Sequence, residues 1–212
     1  MPLFSYDAGT GSDYARAFAL HRLVPESQQL FFYSPDDDCT NFISQCVWAS
    51  YGGWVPGFDD KVTAENARRI KQDIRQITGV WYGSRNHIGS PAWCRVVEFY
   101  RLVTGTKSAG PAARLVAEGT FADVPASAVR QGDVIQLVVT AYTPDRFGHG
   151  VYVTCAAPDW DNVLICCHSY DRLDSPMGEF ASQPTAYPRL RVLRFAPAFF
   201  PSESIPARLP AR

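Results

Sequence analysis

The stretch Asp36-Asp37-Asp38-Cys39-Thr40-Asn41-Phe42-Ile43-Ser44-Gln45-Cys46-Val47 decides the first half of the fold. Its apolar members, Cys39, Phe42, Ile43, Cys46 and Val47, fall at the spacing of one buried helix face. The three aspartates supply cap oxygens and negative charge for the free N–H groups of a first helical turn. Gly52-Gly53 ends the segment. We therefore predict a helix that begins at Cys39 and buries one stripe of its surface.

Further helices are predicted before Gly132. Ser12 is placed to cap a helix that ends before Pro25. A polar helix is predicted from Thr63 to Ile77, and Ser90-Pro91 opens another that runs to about Thr104.

From Gly132 onward, short runs rich in Val, Ile, Leu and aromatic residues predict strands. These runs are Asp133 to Val139, His149 to Cys155, Val163 to Ser169, and Arg189 to Phe195. Because helices come first and strands follow, we expect an α+β fold in which the Cys39 helix packs on a C-terminal antiparallel sheet. Residues 1–196 are predicted to form one domain, followed by a Pro-rich, extended and loosely held tail over 197–212.

Composition excludes several classes of protein. The chain has 212 residues, 46% of them hydrophobic, and a net charge of -1, which is typical of a globular protein and unlike a disordered or coiled-coil chain. The balanced charge offers no footprint for nucleic acid or an anionic membrane. Neither a transmembrane segment nor a signal peptide is visible, so we expect reduced cysteines, and a cytoplasmic location if the chain is full length.

Cys39 is a candidate nucleophile because of its place at a helix N-terminus. A thiol attacks as the thiolate, and a helix N-terminus lowers the pKa that controls its formation. The Cys39 N–H could also stabilise an oxyanion. The neighbouring Asp38 opposes the thiolate unless its carboxylate turns toward the helix cap. The alternative is a buried structural cysteine, which is the more common role.

Two histidines at strand ends complete the candidate site. A hairpin around residues 156–161 can pair Val153 with Leu164, Val151 with Cys166, and His149 with His168. In this register both histidines share the buried face that packs against a helix. Each histidine alone could be a hydrogen-bonded residue at a sheet end, but the pair beside a Cys-headed helix favours a catalytic dyad with an orienting partner.

Several segments resemble one bacterial family. They are Asp38-Cys39-Thr40-Asn41-Phe42-Ile43-Ser44-Gln45, Ser90-Pro91-Ala92-Trp93, Gly132-Asp133-Val134-Ile135, Gly148-His149 through Thr154, and His168 with Asp171. Together they resemble the motifs of the bacterial "putative amidase domain" family over about Ser12 to Phe195. Two positions depart from its pattern, since Gly150 and Ser169 replace the family's Ser and Thr after the two histidines.

The resemblance implies a papain-like fold, related to cell-wall enzymes of the NlpC and CHAP types, and a cysteine amidase or peptidase. It implies Cys39 as nucleophile, His149 as general base and acid, and His168 as the group that orients the imidazole, with Asp171 or Asn41 as other candidates for that last role. A peptide, such as a cell-wall stem peptide, is the implied substrate. No cofactor or metal is expected.

Three alternatives stay open at this stage. The domain could be a catalytically silent binding module of the same fold, or a zinc hydrolase that uses Cys39, His149 and His168 as ligands. An acyl-enzyme could also pass its acyl group to an amine instead of water.

Overall fold

The computed structural model describes residues 1–73 and 80–201. Over these ranges the helices are α1 (Ala8–Phe18), α2 (Cys39–Ser50), α3 (Asp60–Asp73), α4 (Pro91–Cys94), α5 (Val96–Thr104) and α6 (Gly178–Ala181). The strands are β1 (Leu3–Phe4), β2 (Ala112–Gly119), β3 (Val134–Val139), β4 (Thr143–Cys155), β5 (Leu164–Cys167), β6 (Arg172–Pro176), β7 (Leu190–Ala196) and β8 (Ala198–Phe199).

The main sheet has six antiparallel strands in the order β2-β7-β3-β4-β5-β6, and β1 pairs with β8 apart from it. The predicted α+β class with an antiparallel sheet is confirmed. The four predicted strands correspond to β3, β4, β5 and β7, but β4 begins at Thr143, well before His149. The edge strands β2 and β6 were not predicted, because half-exposed edges lack a regular apolar pattern.

Helix α2 begins at Cys39 as predicted, but it buries its whole surface and not one stripe. All twelve of its residues are buried, because α1 and α4 cover the side that does not face β4. Gly52, with φ of 91°, follows in the left-handed conformation that suits a helix C-terminus.

Helix α1 starts earlier than the sequence indicated. The Asp7 carboxylate caps it by accepting hydrogen bonds from the N–H groups of Gly9 and Thr10. Ser12 is not the cap, since it lies inside the helix and donates from Oγ to the Ala8 carbonyl at 2.8 Å. The prediction of a Ser12 cap is therefore wrong, while the end of the helix before Pro25 is confirmed.

Two other predicted helices differ in extent. α3 begins at Asp60 rather than Thr63, and its predicted end at Ile77 lies outside the described residues. The helix predicted from Pro91 to Thr104 is broken at Arg95, which has extended φ and ψ of -115° and 132°. The break arises where Trp93 is anchored to α2 and the Val96 carbonyl accepts a hydrogen bond from Gln136 of β3.

The sheet separates two apolar cores. One lies between the sheet and the helices and includes Trp48, Trp93 and Tyr152. The other lies on the opposite face, includes Val151 and Val153, and contains Phe180 of α6 among the side chains that cover it.

The C-terminal residues that were predicted to form a loose tail begin inside the fold. Ala198 and Phe200 are buried, and β8 pairs with β1. Ala198 and Phe200 are thus packed against the rest of the described chain, while residues 202–212 lie outside the described part. The domain boundary at 197 stays a prediction. None of the described helices combines the length and the apolar character that a bilayer crossing requires.

Candidate active site

Cys39 is the first residue of α2, and its side chain is 2% exposed. The sulfur lies 3.7 Å from the Thr40 hydroxyl oxygen, and the backbone N–H of Gly150 acts to lower the pKa of the thiol. Gly150 permits this approach because a Cβ at that position would lie 2.4 Å from Cδ1 of Ile43 on α2. The thiol is therefore held against β4 at the residue that follows His149.

The N-terminus of α2 lacks the carboxylate cap that the aspartates were expected to provide. The Asp38 carboxylate accepts no hydrogen bond from the backbone N–H groups of the first turn. Its Oδ1 accepts hydrogen bonds from the Ser34 N–H at 3.0 Å and from the Asn41 side-chain amide at 2.8 Å. The backbone N–H groups at the start of α2 are thus left for another acceptor.

Burial sets the protonation state of the Cys39 thiol. It raises the pKa of the thiol to about 11, while bonds from Thr40 and Gly150 lower it only in part. Asp37 and Asp38 raise it further, because a nearby negative charge disfavours the thiolate. The direction of the shift is opposite to the lowered thiol pKa expected from the sequence, and its largest cause is desolvation by burial.

His149 lies on β4, opposite Leu137 of β3. Its ring centroid is 6.1 Å from that of Phe180, and its side chain is nearly buried. Its buried Nδ1 has no hydrogen-bond partner among the residues that the structure describes. Burial, followed by the charge of Arg172, lowers the pKa of the imidazole to about 4. His149 is therefore neutral near pH 7 and can accept a proton.

The register of the β4–β5 pair differs by one residue from the prediction. Val153 pairs with Ile165 and Tyr152 with Cys166, with an irregularity between Val153 and Cys155. A shift of one residue moves side chains to the other face of a sheet. His149 lies on the face of β4 that carries Val151 and Val153 of the second core. The His168 ring instead stacks on Phe42 of α2 at 4.1 Å. The predicted placement of both histidines on one face is wrong.

Both ring nitrogens of His168 are occupied. Nε2 donates to the Phe18 carbonyl at 2.9 Å, and Nδ1 lies 2.6 Å from Oδ2 of Asp38. A carbonyl only accepts, so Nε2 is the donor in the bond to Phe18. His168 therefore contacts Asp38 and Phe18 through its ring nitrogens and makes no hydrogen bond to His149.

The other candidates for orienting His149 have different partners. The Asn41 amide donates to the Phe32 carbonyl and to Asp38, and its oxygen accepts from the Trp93 indole. Asp171 accepts from the His21 N–H. The structure thus brings together Cys39 and His149 without a third group, and no His, Cys, Asp and Glu set in the described ranges has the arrangement of a metal site. Among the described residues, Cys39, His149 and His168 do not form the ligand set that the zinc alternative requires.

Cys39 and His149 line one groove of about 710 Å³. Its walls come from the start of α5, from the end of the β3–β4 hairpin, and from the turn that contains Ser169 and Tyr170. This turn has two successive left-handed residues, with φ of 60° and 77°, and Ser169 Oγ accepts a hydrogen bond from the Asp38 N–H at 2.9 Å. The turn therefore also supports the start of α2.

Sequence reasoning did not identify the arginines of this groove or Tyr142, which also lines it. Exposed charged and aromatic residues at helix starts and hairpin ends carry no periodic signal. The bond between Asp38 and His168 was also missed, although an acidic residue directly before Cys39 was visible.

The fold and groove define an α+β protein with a buried cysteine and a neutral histidine at one concave site. A model of the "Putative amidase domain" family matches residues 5–190, and the chain belongs to this family. The description of the family indicates an amide hydrolase in general terms. No curated protein and no solved structure matches the chain.

Proposed function

We propose that this protein is a cysteine-dependent amide hydrolase that works through a thioester. The observation that carries the proposal is that Cys39 and His149 line the same groove, at a helix N-terminus whose first turn has no side-chain cap. An amide carbonyl at this point meets a nucleophile, a base and backbone N–H donors. A papain-like ancestry and a peptide substrate, such as a cell-wall stem peptide, are the finer parts of the proposal.

The first step begins from a neutral pair. Since the thiol pKa is about 11 and the imidazole pKa about 4, neither group is charged near neutral pH. Cys39 therefore passes its proton to His149 as the sulfur bonds to the carbonyl carbon. The oxygen becomes an oxyanion, which the Cys39 N–H stabilises because no carboxylate competes for that donor.

Collapse of the tetrahedral intermediate breaks the C–N bond. His149 gives its proton to the leaving amine, and the acyl group stays on the sulfur as a thioester. Water then attacks the thioester, His149 accepts a proton from that water, and the proton returns to the sulfur as the carboxylic acid departs. Transfer to an amine in place of water uses the same intermediate.

His168 acts in this proposal as a positioning residue. It holds the Asp38 carboxylate away from the backbone N–H groups of the first turn of α2, which keeps the oxyanion donors free. The silent-module alternative remains the competing hypothesis, because no hydrogen bond joins the Cys39 sulfur to His149 in the described part of the chain.

The test uses p-nitrophenyl acetate and a set of capped peptide anilides. We expect a burst of p-nitrophenol, an acetyl group on Cys39 found by peptide mapping, and release of aniline from at least one peptide. Cys39→Ala and His149→Ala should each abolish turnover, whereas the matched variant Cys155→Ser should retain it, since Cys155 is exposed and away from the groove. Full anilide turnover in Cys39→Ala would overturn the nucleophile assignment, and an intact fold with no acetyl group on Cys39 would favour the silent module.

A further inference from the structure

We propose that the substrate carries a carboxylate, which the arginines of the groove wall bind at a distance from the scissile amide. This inference rests on the proposed function, because it takes the groove of Cys39 as the place where the substrate lies. It adds a substrate class to that function.

Arg95, Arg101 and Arg146 line the groove. Across the described ranges, none of the three is within ion-pair distance of a carboxylate. Other arginines of the chain are paired, for example Arg172 with Glu179 and Arg194 with Asp133. A guanidinium presents a fork of donors that matches a carboxylate, so the groove holds unused binding capacity for an anion.

The three arginines belong to two walls of the groove. Arg95 precedes α5 and Arg101 lies within α5, while Arg146 lies on β4. Six residues of helix span about 9 Å, so the positive charges extend along the groove away from the start of α5. A carboxylate on a side chain of the substrate can therefore bind a guanidinium at a distance from the Cys39 sulfur.

Negative charges in the same groove restrict where the anion can sit. Asp36, Asp37 and Glu98 also line it, and Asp37 acts on the Cys39 thiol. A carboxylate next to the sulfur would face that aspartate. The favourable place is instead the part of the groove between Arg101 of α5 and Arg146 of β4.

A buried arginine, Arg191, packs against the groove residue Phe147. Arg191 is 7% exposed, and its guanidinium carbon lies 3.5 Å from the ring centroid of Tyr100 and 4.0 Å from that of Phe147. Phe147 lines the groove. Nε of Arg191 donates a hydrogen bond to the neutral side-chain oxygen of Gln136 at 2.7 Å. Arg191 therefore adds positive potential behind Phe147.

The test compares two alkylating probes that differ only in charge, bromoacetyl-4-aminobutyrate and its primary amide. With either probe the Cys39 sulfur bonds to the methylene carbon, bromide leaves, and the thiol proton passes to the buffer. Peptide mapping gives the rate at Cys39 and, as an internal reference, at the exposed Cys155. We expect the carboxylate-to-amide rate ratio at Cys39 to exceed the ratio at Cys155 by on the order of tenfold, and to fall as salt is raised.

Substitutions of Arg101 and Arg146 test whether these two arginines cause the preference of Cys39 for the charged probe. Arg101→Gln combined with Arg146→Gln should bring the ratio at Cys39 down to that at Cys155. The matched control Arg114→Gln changes an exposed arginine of β2 that does not line the groove, and it should leave the ratio unchanged. Equal ratios at the two cysteines of the unmodified protein, or a preference that survives in the double variant, would overturn the inference.

A second readout does not depend on the reactivity of the thiol. In an NMR titration, acetyl-4-aminobutyrate should bind about tenfold more tightly than its amide, and the double variant should lose this difference. Equal affinities would count against the inference. If the charge preference is present while no amide is hydrolysed, the proposed function fails and the anion site stands. If amides are hydrolysed without a charge preference, the proposed function stands and the anion site fails.

Discussion

Nδ1 of His168 lies 2.6 Å from Oδ2 of Asp38, and this contact joins the end of β5 to the residue that precedes Cys39. Both side chains are buried. The same carboxylate bonds to Ser34 and Asn41, and the Asp38 N–H donates to Ser169. This network fixes where α2 begins and therefore where the thiol is placed.

Loss of the His168 side chain should destabilise the fold. His168→Ala leaves the buried Asp38 carboxylate without one of its partners, and breaking a buried pair in this way costs about 3 kcal/mol of unfolding free energy. Urea unfolding measures the change. His87→Ala, at an exposed histidine, is the control and should stay within about 0.5 kcal/mol of the unmodified protein.

A double-mutant cycle tests whether the cost comes from this contact. Asp38→Asn and His168→Gln, alone and together, should give an interaction free energy above about 1 kcal/mol. Additive effects would contradict the role we assign to the pair.

Alkylation of Cys39 by iodoacetamide should be slow at neutral pH. Because the thiol pKa is raised to about 11, the thiolate fraction and the rate should increase about tenfold per pH unit up to that value. Mass spectrometry of Cys155→Ser, which removes the exposed thiol, follows the reaction. A rapid rate that is constant from pH 5 to 8 would instead indicate a thiolate–imidazolium pair.

His149 should make the fold sensitive to mild acid. Its folded-state pKa of about 4 lies below the usual imidazole value of 6.5, so the unfolded chain binds more protons between these values. Its contribution to stability is complete above pH 6.5 and is lost as the pH falls toward 4, by roughly 3 kcal/mol in total.

The comparison variant is His149→Gln, whose side chain does not titrate. Its unfolding free energy should fall less than that of the unmodified protein between pH 6.5 and 4, as measured by urea unfolding at each pH. Parallel curves for the two proteins would show that His149 is not the group responsible.

A side chain at Gly150 should disturb the contact between β4 and α2. A Cβ there would lie 2.4 Å from Cδ1 of Ile43, and overpacking of a core costs about 1–3 kcal/mol. We expect Gly150→Ala to lower the melting temperature and to slow the acetylation of Cys39, since displacement of Ile43 would move α2, whose first residue is Cys39.

Ile43→Val removes the methyl group that the new Cβ would meet. It should therefore cost less stability in the Gly150→Ala background than in the unmodified protein. An equal cost in both backgrounds would exclude this steric explanation.

Local patterns in the sequence were sufficient for several features. The spacing of Cys39, Phe42, Ile43, Cys46 and Val47 predicted where α2 begins, because a helical period is a property of neighbouring residues. The change of period near Gly132 predicted the antiparallel sheet, and the motif around Cys39 indicated the amidase family. That the chain is one domain stays a prediction.

The details of the site depended on contacts between distant residues. The strand pattern was compatible with two registers, and the irregularity between Val153 and Cys155 separated the faces of His149 and His168. Asp38 turned from the helix cap to His168, a residue far along the chain. Burial then reversed the expected shift of the Cys39 pKa. The sequence by itself determined the elements and the reactive residue types, whereas register, desolvation and the choice of hydrogen-bond partner were decided by tertiary packing, since each depends on which distant groups exclude water from the same place.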